Sequence, residues 1–173
     1  MFLIPGKYIA LATFPGVIIH ELGHRIACKL AGVQVYETCY FRFGNPAGYV
    51  IHEPTARYAG TFLITVAPFL FNSTIAILMF FIAPHTSVLG VLFYWLGFSI
   101  GMHAFPSPGD SSSLWQHSIY IWRQNPIALL GFPIVILIVL ANILSVIWFD
   151  LIYAVLLLFL VNHEAVTNFF SET

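Results

Sequence analysis

Two histidines and a glutamate stand within five residues of one another in the run HELGH, residues 20–24, inside an otherwise apolar stretch. On a helix, positions four apart share a face, so the imidazoles of His20 and His24 can reach one metal ion. Glu21 sits beside the first histidine and can reach water at that ion without being a ligand. Zinc lowers the pKa of water that it binds to about 7, and a neighbouring carboxylate can take the proton. Ionisable side chains in an apolar helix are expensive and are functional by default. The pattern points to metal-assisted hydrolysis. The bland alternative is a buried polar cluster that only packs helices together.

Two imidazoles leave a catalytic zinc one protein ligand short. The chain has only seven Asp and Glu, which narrows the choice. Asp110, at the end of the run HAFPSPGD (103–110), is the expected third ligand. His103 in the same run is the runner-up; Glu53 with His52, and Cys28 one turn beyond His24, are weaker options. Asp110 also reads as a turn residue, helped by Gly109 and followed by serines that can cap a helix. Asn72 follows Pro68 within an apolar segment. It can donate a hydrogen bond to a carbonyl oxygen in the site or satisfy a neighbouring helix. His52, His85, His117 and His163 fall at expected loops or ends and read as interfacial or solvated.

Composition names the solvent in which these residues must be held. Hydrophobic residues make up 60% of the 173, aromatic residues 17% and charged residues 8%, and mean hydropathy is +0.90. A soluble domain carries roughly 25% charged residues. So few charges exclude a soluble enzyme, a disordered chain and a nucleic-acid binder, and imply an integral membrane protein whose partner is the lipid bilayer. A net charge of −1 gives no attraction to polyanions. Cys28 and Cys39 are too few for a disulfide scaffold. The length fits a single domain over residues 1–173.

A membrane-spanning helix needs about 20 mainly apolar residues. The first candidate runs from about Lys7 to Ala31 and stops at Gly32; it is longer than a signal-peptide core and carries HELGH. The second runs from about Tyr58 to Ala83, the third from about Val88 to Phe105. SSSLWQHSIYIWRQ is a short amphipathic stretch with Trp115 and Trp122 suited to an interface. The apolar run 127–161 would reach about 50 Å as one helix, against roughly 30 Å of hydrocarbon. It reads as two crossings broken near Trp148–Asp150, with one long tilted helix as the alternative. Between the first two segments, VQVYETCYFRF and YVIH flank the turn GNPAG and read as a β-hairpin. The expected fold is an all-α polytopic membrane protein. It has three helical segments over about 7–112, one or two further crossings in accessory segments over about 113–168, and a small membrane-associated β-hairpin.

Orientation follows from the basic residues. Arg25, Lys29, Arg42 and Arg57 flank the loop after the first segment and Arg123 lies after the third, which puts both loops in the cytoplasm, although Lys7 argues the other way. The histidines and Asp110 then share a depth toward the cytoplasmic side, which favours Asp110 as the ligand.

Together these residues resemble the site-2 protease family of intramembrane zinc metalloproteases. HELGH matches the HExxH motif that the family carries in a membrane helix. VAPFLFN (66–72) is similar to its Gly-Pro-x-x-Asn motif, with Ala67 in place of the Gly and Asn72 one position late. HAFPSPGDSS is similar to its Asn-x-x-Pro-x-Pro-x-x-Asp-Gly motif, keeping Pro106, Pro108 and Asp110. It departs with His103 in place of the Asn, one residue fewer before the Asp and no Gly after it. The resemblance covers about residues 10–112 and implies that the three helical segments over about 7–112 are a three-helix catalytic core. It implies one zinc ion held by His20, His24 and Asp110, Glu21 as general base, and substrate contacts from Asn72 and His103. It implies hydrolysis of a peptide bond in or near a transmembrane segment of a membrane-protein substrate. That segment must unwind, and the hairpin offers an edge strand to hold it extended. Two readings compete: a zinc-binding membrane transporter or scaffold, and a membrane metallohydrolase acting on a lipid or lipidated substrate. The retained Glu21 argues against the first, and the lack of a cationic headgroup pocket against the second.

Overall fold

The first expected segment is two helices. In the computed structural model, which describes residues 6–86 and 88–162, α1 spans Gly6–Ala12 and α2 spans Phe14–Ala31. Pro15 has no N–H to continue α1 but fits the first turn of a new helix. Thr13 marks the break, its hydroxyl donating to the Ile9 carbonyl (2.7 Å). Gly32 ends α2 in the left-handed region (φ 69°), its N–H turned back to the Cys28 and Lys29 carbonyls. The hairpin follows as expected, β1 at Val35–Cys39 and β2 at Tyr49–His52. The strands are antiparallel, with Thr38 opposite Val50 and Cys39 opposite Tyr49.

Tyr58–Ile82 form α3, Gly90–Met102 α4, Pro108–Ile121 α5, Gly131–Leu144 α6 and Phe149–Val161 α7; short 3₁₀ turns occupy Ala83–His85, Pro126–Leu130 and Ser145–Ile147. The third expected segment is shorter than its apolar run because Pro106 and Pro108 end one helix and begin the next. The amphipathic stretch likewise starts earlier than composition suggested: Ser107 and Asp110 form a capping box and Pro108 occupies the first turn. α6 and α7 break at Trp148, whose φ is 64°, within the interval expected for the break.

α2, α3 and α4 pack against one another, α5 on α3 and α6, and α7 on α3 and α4. Gly16 of α2 passes so close to α4 that a Cβ there would run into the Ser99 carbonyl. Its N–H donates to Ser99 Oγ (2.9 Å), which donates on to the Thr13 carbonyl (3.0 Å). Apolar clusters fill the seams: Ala27, Cys28 and Ile64 between α2 and α3, and Ala76, Phe80, Ile100 and Leu157 among α3, α4 and α7. The stretches Tyr58–His85 and Pro126–Ile147 are long and apolar enough to cross a membrane, and only 28% of each apolar window is buried within the chain. α4 and α7, 13 residues each, reach about 20 Å. Leu137, Ile143, Leu156 and Leu160 point outward from α6 and α7. His163 and the rest of the expected accessory region to 168 lie outside the described residues.

Candidate metal centre

His20 and His24 project from one face of α2, their ring centroids 4.9 Å apart, and both are buried. Each ring is pinned by its Nδ1. His20 Nδ1 meets the His103 carbonyl at 2.7 Å, and His24 Nδ1 meets the Ile64 carbonyl at 3.0 Å. A carbonyl only accepts, so each Nδ1 carries a proton, and in the neutral ring each Nε2 offers its lone pair to a metal.

Both acceptors are carbonyls left over by the backbone. In α3, Pro68 sits four residues after Ile64 and has no N–H to give it. His103 is the C-cap of α4, where helix carbonyls lack partners. A proline inside one helix and the end of another therefore orient the two imidazoles.

Asp110 arrives at N3 of α5. Its Oδ2 accepts from Ser107 N–H (2.8 Å) and Ser107 Oγ (2.7 Å), and Thr65 Oγ1 donates to its carbonyl (3.2 Å). Oδ2 lies 3.3 Å from His24 Nε2. At that separation the two atoms can share a proton or, with His24 neutral, a metal cation. Donors about 2.0–2.1 Å from a tetrahedral zinc lie about 3.3 Å apart. Ligand atoms of His20, His24 and Asp110 all fall within 4.8 Å of one another. The donor set, two neutral imidazoles and one carboxylate, is that of an open catalytic zinc site. His52, Glu53, Cys28 and His103 fall outside this group.

A family model described as "Putative zincin peptidase" (DUF3267) matches residues 13–110, more than half of the chain. The chain belongs to this zincin peptidase family. No curated protein and no solved structure matches it. The family implies zinc and a metallopeptidase, and its matched stretch carries His20, Glu21, His24 and Asp110 while leaving α6 and α7 outside.

In this peptidase the centre opens on a cavity of about 400 Å³. Glu21 lines it, and the hairpin turn closes over Glu21: a Cβ on Gly48 would lie 2.7 Å from Glu21 Cγ and 2.9 Å from its Oε1. A side chain at that position would have to push the Glu21 carboxylate aside. Tyr49, Val50 and His52 of β2 line the same cavity. At the exposed hairpin, Tyr49 donates its hydroxyl to Glu37 (2.5 Å), which raises the Tyr49 pKa.

His103 also lines the cavity. Its Nε2 lies 2.8 Å from Thr13 Oγ1. That hydroxyl already donates to Ile9, so the ring N–H donates to it and Nδ1 remains an acceptor. Asn72 is fully buried and outside the cavity lining. Its amide N–H groups reach the Gly16 (3.2 Å), Ile100 (3.1 Å) and His103 (3.0 Å) carbonyls. It thus ties α3 to α2 and α4 and steadies the carbonyl that holds His20. His117, expected at a solvated end, bonds Thr61 Oγ1 at 2.7 Å. Sequence reasoning passed over Asn142, Ser145 and Asp150, which line the cavity from α6 and α7. Their signal was polarity in an apolar run.

Proposed function

We propose that this zincin peptidase is a multi-pass integral membrane protein of the site-2 protease type. It hydrolyses peptide bonds in or near transmembrane segments of membrane-protein substrates, with its site toward the cytoplasmic side. The observation that carries this reading is the placement of the His20, Glu21, His24 and Asp110 constellation among helices whose apolar faces turn outward. A helix of a soluble core hides most of its apolar surface; here most of it is left for lipid.

His20, His24 and Asp110 would hold the zinc ion, which when bound would supply Lewis acidity toward a carbonyl and toward water. The chain's own residues do the rest. Glu21, held in place by the hairpin turn, takes a proton from the attacking water on its carboxylate and hands it to the leaving amine. A C–O bond forms as the C–N bond breaks, and no other reactant is needed. β2 borders the cavity and offers its edge to an unwound substrate strand. The His103 Nδ1 accepts a substrate N–H, and Asn72 acts as a positioning residue through the His103 carbonyl.

The test uses purified protein in lipid bilayers with membrane-spanning peptides and, separately, lipid substrates. Peptides are expected to be cleaved and lipids left intact. Glu21→Gln is expected to keep zinc while losing about 10²–10⁴-fold in rate. Full activity in that variant, or turnover confined to lipids, would reject the reading.

A further inference from the structure

Beyond residue 110, where the family match ends, the chain from Pro126 to Val161 is almost wholly apolar. Its Asn, Ser and Asp residues are Asn142, Ser145 and Asp150, and the stretch holds no Thr, Gln, Glu, His, Lys or Arg. All three line the catalytic cavity. Polar side chains on such helices are costly unless they face protein or a wet cavity.

Two of the three have structural partners. The Asn142 amide donates to the Pro106 (3.0 Å) and Ile138 (2.8 Å) carbonyls, tying α6 to the segment that carries Asp110. Ser145 Oγ donates to the Asn142 carbonyl (2.9 Å). Asp150 stands in the first turn of α7, where the helix N-terminus favours a carboxylate, and among the described residues it forms no ion pair. Its position is nonetheless fixed. Phe149 and Tyr153 on either side of it stack on Phe105, at 5.5 and 4.9 Å between ring centroids, and Tyr153 bonds Ser73 at 2.7 Å. Asp150 lies outside the group of metal-ligand atoms, so the centre itself does not account for it. Among the described residues, no Lys or Arg lines the cavity. With a divalent cation bound, Asp110 and Glu21 balance its charge, and Asp150 is left as the unbalanced one.

We infer that Asp150 is a specificity-determining residue that selects substrates bearing a Lys or Arg side chain beside the scissile bond. This rests on the peptidase reading. A carboxylate in a confined cavity attracts a cation more strongly than one at an open surface. Lys and Arg gather at the cytoplasmic ends of membrane segments, the ends that a site on that side meets.

The experiment compares membrane-spanning peptides identical except for Lys, Gln or Glu beside the cleaved bond, with the full chain in lipid nanodiscs. The expected kcat/KM ratio of Lys to Glu peptide is at least about tenfold; Asp150→Asn brings it within about threefold of one, and Asp150→Lys inverts it. A wild-type ratio near one overturns the inference, as does an Asp150→Asn variant that slows all three peptides equally. Dissociation constants for the same peptides on zinc-loaded Glu21→Gln protein give a second readout, with the same order expected. If wild-type protein cleaves none of them, the peptidase reading fails while the binding order still decides the role of Asp150. Zinc content and Tm are followed throughout, and Asp150→Ser is read in place of Asp150→Asn should the latter unfold.

Discussion

At the scale of single residues, the centre depends as much on carbonyls as on ligands. His24 is aimed by Ile64 only because Pro68 leaves that carbonyl unpaired. Pro68→Ala supplies an N–H that competes for it. We expect zinc affinity to fall about 10–100-fold with the fold intact, the effect typical of losing an outer-shell partner; titration against a competing chelator measures it, and unchanged affinity would refute the link. Asn72→Ala removes a buried amide that bonds three carbonyls across α2, α3 and α4 and is expected to cost about 1–3 kcal/mol, seen as a lower Tm in detergent. The spacing of His20, Glu21 and His24 was legible because helix geometry alone puts positions four apart on one face. The carbonyl partners were not, because they come from positions 40 and 83 residues away in sequence. Pro68 was visible, but its use was not, since a missing N–H gains meaning only once His24 lies across from it.

At the scale of elements, the hairpin, the long α3 and the break at Trp148 were legible from period, turn residues and length. The division of α1 from α2 and the early start of α5 were not, although Pro15 and the Ser107–Asp110 spacing carried both. Hydropathy smooths over a helix break that leaves every residue apolar. The hairpin bears directly on the reaction through Gly48, whose backbone packs on Glu21. Gly48→Val is expected to displace the carboxylate, lowering peptide cleavage at least about tenfold while zinc stays bound; a variant as active as wild type would show that the turn does not hold Glu21. Proline substitutions along β2 are expected to slow cleavage of membrane peptides by blocking strand addition, and unaltered rates would remove the edge from the mechanism.

At the scale of the molecule, a mostly helical chain with a small two-stranded hairpin and two helical stretches apolar enough to cross a membrane agrees with expectation in outline. What composition hid is that the α6–α7 pair also walls the cavity, because three polar residues scattered over nine positions show no periodicity. The basic residues predict sidedness, and the chain carries its own probe. Cys28 is buried and Cys39 is partly exposed on β1. A membrane-impermeant thiol reagent is expected to label Cys39 from the cytoplasmic side; labelling from the opposite side would reverse the orientation.

The most direct measurement is the metal content of purified protein, wild type beside Asp110→Ala. The account predicts one zinc per wild-type chain and a variant, folded by its thermal transition, that holds zinc far more weakly or loses it on dialysis. A wild type without zinc, or an Asp110→Ala variant that binds it as tightly, would contradict the joining of His20, His24 and Asp110 in one centre.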